Sequence, residues 1–492
     1  MKRPSSAYVR TRSESQPRLI LVSNRLPLSF KRENGKLQTV PSSGGLIGAL
    51  EPILKEHGGV WVGSAGTEDS AELHQALHTA AGSHSFRYAP IILSAQEEAN
   101  YYEGFSNEVL WPLFHDLQSR GVFDPVYWDF YQRVNRKFAD AVDDIAGERD
   151  LIWVHDYQLM QVGRALRERR PDAFLSFFLH IPFPSPDMFG KLPWRREVLE
   201  GLLDYDFVGL QTARDQRNLV ACIRAWIPEA RISGRGDQRI VSTSHGVTCI
   251  RDVPISIDFR DFAGAAAQPA IAERARQIRT QSPDMVIALG IDRLDYTKGI
   301  PERLRALRAF FRGYPQFRRK LTLIQVVVPS RENIQGYKEL RSEIESLVSS
   351  TNGEFSEPGW TPIQYMNRSV PRCELLALYR AAGIALVTPL KDGMNLVAKE
   401  YCAAHIENDG VLILSEFAGA MAELHNGAIS VHPYDEIGIC LALQRALEMP
   451  AAESRRRMLR MRRTIRENDV LRWRDRIFEQ MEQAQPRIKL AA

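Results

Sequence analysis

Short apolar runs recur along the chain, each closed by a polar segment and followed by a stretch with helical spacing of its apolar positions. The strand-like runs are LILV around 20–22, LIWV at 151–154, FLSFFL at 174–179, VIALGI at 286–291, LTLIQVVV at 321–328 and IALVTP at 384–389. Runs without polar alternation are buried on both faces, as in parallel sheets covered by helices. Helical spacing is clearest over 157–170, 332–348, 373–382 and 436–449. The pattern predicts an α/β protein.

The strands fall into two groups separated by VPISIDFRDF at 253–262, whose proline and acidic residues suit a connector between two doubly wound units. The expected organisation is a basic arm over 1–18 with no ordered structure, a first Rossmann-like domain over 19–252, a second over 253–467, and a C-terminal helix over 468–492 that packs back on the first domain. A length of 492 residues exceeds one ordinary core and agrees with two domains. The Arg-rich segment at 452–469 alternates with apolar positions and reads as a helix with a solvated face.

Charge and composition narrow the partners. A net charge of +4, from 64 basic and 60 acidic side chains, gives no field that would gather nucleic acid or a membrane. The expected partners are small molecules, with a homo-oligomer compatible with the chain. Cys222, Cys249, Cys373, Cys402 and Cys440 are scattered with no CxxC, which suits reduced thiols and a cytoplasmic location better than a disulfide framework or zinc site. The first eighteen residues lack the apolar core of a secretory signal, and no run approaches the roughly 20 apolar residues of a membrane span.

In open parallel sheets, ligands bind beyond the carboxyl ends of the strands. Those positions here hold Arg25 in SNR, His155 and Asp156 in HDY, His180 in HIPFP, Arg293 and Lys298 in DRLDYTKG, Arg331 in PSRE and Asp392 in KDGMN. Arg293 can bind a departing diphosphate in a fork and Lys298 can meet it as a compact cation; the alternative is salt bridging of Arg293 to Asp292 or Asp295. In TPLKDGMNLVAKE, Gly393 is expected at a tight corner and a helix near Asn395, whose free amides can receive phosphate oxygens. Glu400 would face ribose hydroxyls and Asp392 a sugar hydroxyl. Gly44 and Gly45 permit close backbone approach before another helix. Arg25 and Arg331, with Tyr102 and Trp111, could hold a second phosphate; core packing is the other reading of the two aromatics.

These motifs resemble the trehalose-6-phosphate synthases, retaining glycosyltransferases of the two-Rossmann GT-B architecture. The resemblance runs from about residue 19 to 470 through SNRLP, GGL, WVG, FSNEVLWPLFH, WVHDY, FFLHIPFP, RLDYTKGIPER, GWTP and TPLKDGMNLVAKEY. It implies transfer of glucose from a nucleotide-glucose, commonly UDP-glucose, to glucose 6-phosphate, with neither metal nor other cofactor. Arg293, Lys298 and Glu400 would bind the nucleotide, with Gly45, Gly393, Met394, Asn395 and Leu396 adding contacts along the backbone. His180 and Asp392 would hold the donor glucose; with Arg293 and Lys298 they form the expected catalytic set. Arg25, Tyr102, Trp111 and Arg331 would bind the acceptor phosphate, and Trp61 and Asp156 the acceptor sugar.

Two departures stand out. Ser64 follows WVG where family members often carry an aromatic residue, near the expected acceptor side, and SSTNGEFSEPGW at 349–360 lacks the arginine commonly found before NG. A related synthase with another acceptor, such as a glucosylglycerol-phosphate synthase, is therefore one alternative, and a catalytically silent regulatory subunit another. DYD at 204–206 fits a metal-binding DxD only in its letters, because no acidic loop surrounds it.

Overall fold

The computed structural model of the chain describes residues 18–33, 36–41, 45–82, 86–281, 284–331 and 334–488. Two sheets carry the fold. The first has nine strands in the order Phe86–Ile91, Gly59–Ser64, Leu19–Arg25, Leu151–His155, Leu175–Phe178, Phe207–Leu210, Gly246–Asp252, Arg239–Thr243 and Arg231–Ser233. The first seven pair in parallel, and Arg239–Thr243 pairs antiparallel with both Gly246–Asp252 and Arg231–Ser233. The second sheet is wholly parallel, in the order Ile363–Asn367, Leu321–Val328, Val286–Arg293, Ile384–Val387, Val411–Ser415 and Ile429–Val431. A hairpin, Leu28–Glu33 with Lys36–Pro41, stands apart from both.

All six apolar runs form strands in the parallel regions, and their residues are buried because helices cover both faces. The order of each sheet reverses at one place. In the first sheet the chain moves outward from Leu19–Arg25 in one direction and from Leu151–His155 in the other; in the second the reversal lies between Val286–Arg293 and Ile384–Val387. Diverging connections leave a crevice at such a switch point. Arg25 and Asp156 stand at the first crevice, Arg293 and the segment leading to Asp392 at the second.

The first sheet's last parallel strand ends at Asp252, and the next helix, Phe259–Ala266, starts where the Asp258 side chain caps the Asp261 amide at 2.9 Å. The Arg-rich helix, Ala451–Glu467, buries Arg462 so that it donates to the Cys402 and Ala403 carbonyls at 2.6 Å each. The final helix, Val470–Ile488, crosses back to the first sheet. Trp473 donates its indole N–H to the Val253 carbonyl at 3.0 Å and packs on Trp153 and Phe178.

One helical segment differs from the sequence pattern, and another is wound unusually. The stretch 157–170 breaks into a tight turn at Tyr157–Leu159 and a short helix at Val162–Arg167. Side chains intercept its backbone groups: Asn135 bonds the Gln158 carbonyl and the Gln161 amide, and the Tyr205 hydroxyl accepts from the Gly163 amide. Glu98–Leu110 winds as a wide π-helix, a form associated with functional positions, and carries Tyr102 towards the cleft.

Candidate active site

The second sheet supplies a tightly built corner. Arg293 ends its strand, and two residues later the Asp295 carboxylate accepts from the Thr297 amide at 3.0 Å and the Thr297 hydroxyl at 2.9 Å, closing the one-turn helix Tyr296–Lys298. Gly299 follows at φ 63°, where a Cβ would stand 2.3 Å from the Thr388 carbonyl, so the turn can lie against the neighbouring strand's end. This places Lys298 Nζ 2.6 Å from Asp392 Oδ2, and Asn395 Nδ2 lies 3.1 Å from the same oxygen. Burial alone would raise the Asp392 carboxyl, but the Lys298 ammonium holds it below the usual carboxylate range.

The corner's backbone is pinned by amides of a neighbouring loop: Gly419 donates to the Asp392 carbonyl at 3.0 Å and Ala420 to the Met394 carbonyl at 2.7 Å. The left-handed residue is Asn395, at φ 71°, whereas Gly393 was the residue expected to make the turn. Gly393 serves a different need. A Cβ there would lie 2.3 Å from the His180 carbonyl of the other lobe, so only a hydrogen fits. The helix Leu396–Ala404 begins here with no side chain capping its first amides. Glu400, one turn in, accepts from the Tyr379 hydroxyl at 2.8 Å, and burial raises its carboxyl.

Arg293 is exposed and makes no ion pair with a described residue. Both rival carboxylates are engaged elsewhere: Asp292 with buried Arg303 at 2.6 Å, and Asp295 with Arg331 at 3.2 Å. The salt-bridge reading of Arg293 therefore fails, and its guanidinium stays available at the cleft.

The first sheet presents Arg25 at its strand end, ion-paired to Glu98 at 2.7 Å and lying over the Tyr102 ring at 4.9 Å. Asp156 takes a left-handed conformation at φ 76°, donating its amide to the Phe178 carbonyl at 2.8 Å while its carboxylate accepts from the His180 amide at 3.2 Å. Burial pushes the Asp156 carboxyl up to about 6, against the opposing pull of the Tyr157 and His180 amides and of Arg293 and Arg331. His180 stands beside His155, with 3.0 Å between His180 Nε2 and His155 Nδ1.

Trp61 requires a correction. Its side chain is 0% exposed within the core, and its indole N–H donates to the Ser23 hydroxyl at 2.8 Å, so it cannot touch an acceptor. Its effect runs through Ser23, which donates to the Arg25 carbonyl at 2.8 Å and shapes the SNR turn. Gly44 lies outside the described residues, and Gly45 is the first residue of the helix Gly45–His57.

Side chains of both lobes meet across the cleft. Trp111 donates its indole N–H to Asp295 at 3.3 Å, the Arg331 guanidinium lies 4.3 Å from the Trp111 ring, and Arg293 approaches the same ring at 5.9 Å. Arg331, left-handed at φ 51°, also bonds Tyr337 and donates to the Tyr157 hydroxyl of the first lobe at 3.3 Å. Lys391 pairs with Asp116 at 2.7 Å. His115 stacks on Trp111 at 4.3 Å between centroids, and burial lowers its pKa to about 4, leaving a neutral ring near Lys298 and Asp392.

The sequence reading missed Asp295, His115, Tyr157 and Tyr337 as parts of this cluster. Asp295 and His115 lie inside motifs already singled out, RLDYTKG and FSNEVLWPLFH, but nothing in spacing says that they converge. The DYD stretch has a structural role: Asp206 accepts from the Leu175 amide at 2.7 Å and pairs with Arg167 at 2.8 Å.

Comparison with known proteins gives the family. The profile of Glycosyltransferase family 20 matches residues 17–483. Trehalose-6-phosphate synthase of Mycolicibacterium smegmatis is 42% identical over 460 residues, covering 92% of this chain and 90% of that protein. The enzyme of the same name from Mycobacterium avium is 40% identical over 485 residues, covering 97% and 98%. Among solved structures, the E. coli protein bound with UDP-2-fluoro glucose superposes with a TM-score of 0.85 at 35% identity, covering 95% of this chain and 99% of that one. The UDP-forming alpha,alpha-trehalose-phosphate synthase of Burkholderia xenovorans in complex with glucose-6-phosphate gives 0.84 at 35%, covering 94% and 100%. The architecture is GT-B, with two Rossmann-like domains facing a central cleft, and the chain belongs to glycosyltransferase family 20.

Proposed function

We propose that this chain is a retaining glucosyltransferase that moves glucose from UDP-glucose to glucose 6-phosphate, giving α,α-trehalose 6-phosphate and UDP. The reading rests on one observation above all: Arg293, with no ion pair to a described residue, approaches the Trp111 ring at 5.9 Å, while Arg331 lies 4.3 Å from the same ring across the cleft. One basic group thus suits a leaving diphosphate and another an acceptor phosphate.

In this reading Arg293, Lys298 and the amides from Gly393 to Leu396 take up the negative charge that develops on the diphosphate as the glycosidic C–O bond breaks. Glu400 accepts from ribose hydroxyls, and His180 and Asp392 hold the glucose. Arg25, Tyr102, Trp111 and Arg331 receive the acceptor phosphate, and Asp156 orients the acceptor sugar. The acceptor oxygen attacks the face from which the diphosphate departs, so configuration is retained, and its proton passes to the departing phosphate oxygen. No protein nucleophile takes part, and positioning with charge stabilisation carries the rate.

The arginine, lysine and amides can meet the diphosphate charge without a metal ion, and the substrates suit a cytoplasmic enzyme. No helix among the described residues is long and apolar enough to cross a membrane. The test is to incubate the pure chain with UDP-, ADP- or GDP-glucose and glucose 6-phosphate in EDTA and determine the product linkage by NMR. An α,α-1,1 product from UDP-glucose is expected. Nucleotide release only with another acceptor, such as glycerol 3-phosphate, would overturn the acceptor assignment; none with any acceptor would overturn catalysis altogether.

A further inference from the structure

Two histidines stand one behind the other at the first lobe's side of the cleft. His155 ends the strand Leu151–His155, and His180 follows the neighbouring strand Leu175–Phe178. Their rings lie 5.3 Å apart between centroids at 29°, and His155 Nδ1 is 3.0 Å from His180 Nε2. Burial depresses both rings, His180 to about 3, so both are neutral near pH 7.

A neutral pair shares one hydrogen across this contact, and there are two ways to place it. If His155 Nδ1 donates, His155 Nε2 is a bare lone pair. If His180 Nε2 donates, His155 Nε2 must carry a hydrogen. The other surroundings of His155 distinguish the two cases: the residue is fully buried, its Nε2 has no hydrogen-bond partner, and its ring lies 4.4 Å from that of Trp153. An orphaned N–H buried in such surroundings is rarer and costlier than an unpaired acceptor. The hydrogen therefore sits on His155 Nδ1. His180 Nε2 accepts it, and His180 carries its own hydrogen on Nδ1, which no described residue bonds.

We propose that His155 is a positioning residue that locks His180 in its Nδ1–H tautomer, so that the cleft presents a fixed, uncharged hydrogen-bond donor to a hydroxyl oxygen of the donor sugar. The proposal rests on the glucosyltransfer reading for the identity of that sugar. The tautomer matters because a fixed N–H pairs only with an oxygen lone pair, and a neutral ring adds no positive charge beside an anomeric carbon that becomes cationic as its bond breaks.

The test begins with NMR of ¹⁵N-histidine-labelled wild-type protein at pH 7.5, with the His155 signals assigned by their loss in His155→Asn. Protonated Nδ1 on both residues is expected, and a His180 protonated at Nε2 would overturn the proposal. The kinetic arm compares His155→Asn, whose amide nitrogen can stand in for Nδ1, with His155→Phe, which fills the space without a donor. With UDP-glucose and glucose 6-phosphate, the Asn variant should keep kcat within about threefold of wild type, while Phe lowers it about 30-fold with the acceptor KM unchanged, as loss of one oriented donor implies. Equal kcat in the two variants would also overturn the proposal. Should the Phe variant fail to fold, the wild-type spectrum decides. A chain that transfers no glucose would refute the function while the spectrum still reports the tautomer.

Discussion

The indole N–H of Trp111 donates to the Asp295 carboxylate at 3.3 Å, and this bond joins the two lobes across the cleft. Asp295 also accepts from Arg331 at 3.2 Å, so one buried carboxylate holds two of the groups assigned to the acceptor phosphate in a fixed relation. Burial would raise its carboxyl, but Arg331, Lys298 and Arg293 hold it low and therefore ionised. Trp111→Phe keeps most of the ring packing and removes the donor. The expected result is a roughly tenfold to hundredfold loss in kcat/KM for glucose 6-phosphate, the usual scale of one hydrogen bond to a charged partner. Steady-state kinetics at saturating UDP-glucose would measure it, and a wild-type value would remove Trp111 from the acceptor site.

Arg293 makes no ion pair with a described residue and stands exposed at the end of its strand. Arg293→Ala should lower kcat at least about a hundredfold, because the developing diphosphate charge loses a preorganised donor. Arg293→Lys should recover only part of that rate, since an ammonium cannot reproduce the planar fork. Single-turnover measurement with UDP-glucose separates this effect from product release. Near-normal chemistry in the Ala variant would contradict the assignment.

Gly393 is set by close approach across the lobes. A methyl group there would stand 2.3 Å from the His180 carbonyl, so Gly393→Ala must hold the corner away from the first lobe. Turnover should fall about a hundredfold, as expected for a misplacement on the 1 Å scale, with the fold intact by circular dichroism. Unchanged turnover would mean that this approach is not needed for catalysis.

Asp156 gives a pH dependence. Burial raises its carboxyl from 3.8 to about 6. Below that pH it is protonated and loses strength as an acceptor, so the KM for glucose 6-phosphate should rise as pH falls through 6. The sugar phosphate also titrates near 6, so the informative comparison is Asp156→Asn, in which only the phosphate step should remain. Stability moves in the opposite sense. A folded pKa above the unfolded one means that ionisation costs stability as pH rises from about 4 to 6, so the Asn variant should gain in melting temperature over wild type at pH 8 and not at pH 4. Identical profiles for the two proteins would rule out a titrating Asp156.

The sequence made the parallel α/β architecture legible because strands buried on both faces must be apolar without alternation, and all six such runs became strands. It was less informative at 157–170, where Asn135 and Tyr205, distant in sequence, take the backbone groups that a continuous helix would use. Trp61 in WVG carries the same kind of side chain as Trp111 in VLW. One faces the sheet interior and the other the cleft, a difference of packing that residue type does not encode. The sequence marks Gly393 as a corner, whereas its close approach to the His180 carbonyl is a contact between lobes that no local pattern carries.

Which residues stand at strand ends is legible locally, because a strand's end is a change from apolar to polar. Which ends face one another follows from strand order and lobe packing. Strand order placed Arg25 with Asp156 and Arg293 with Asp392 at the two switch points, and lobe packing brought Trp111 to Asp295 and Gly393 to His180. Those contacts join residues far apart along the chain, and each forms only where two surfaces built on different sheets are complementary in shape and charge, a condition that no short stretch of sequence can express.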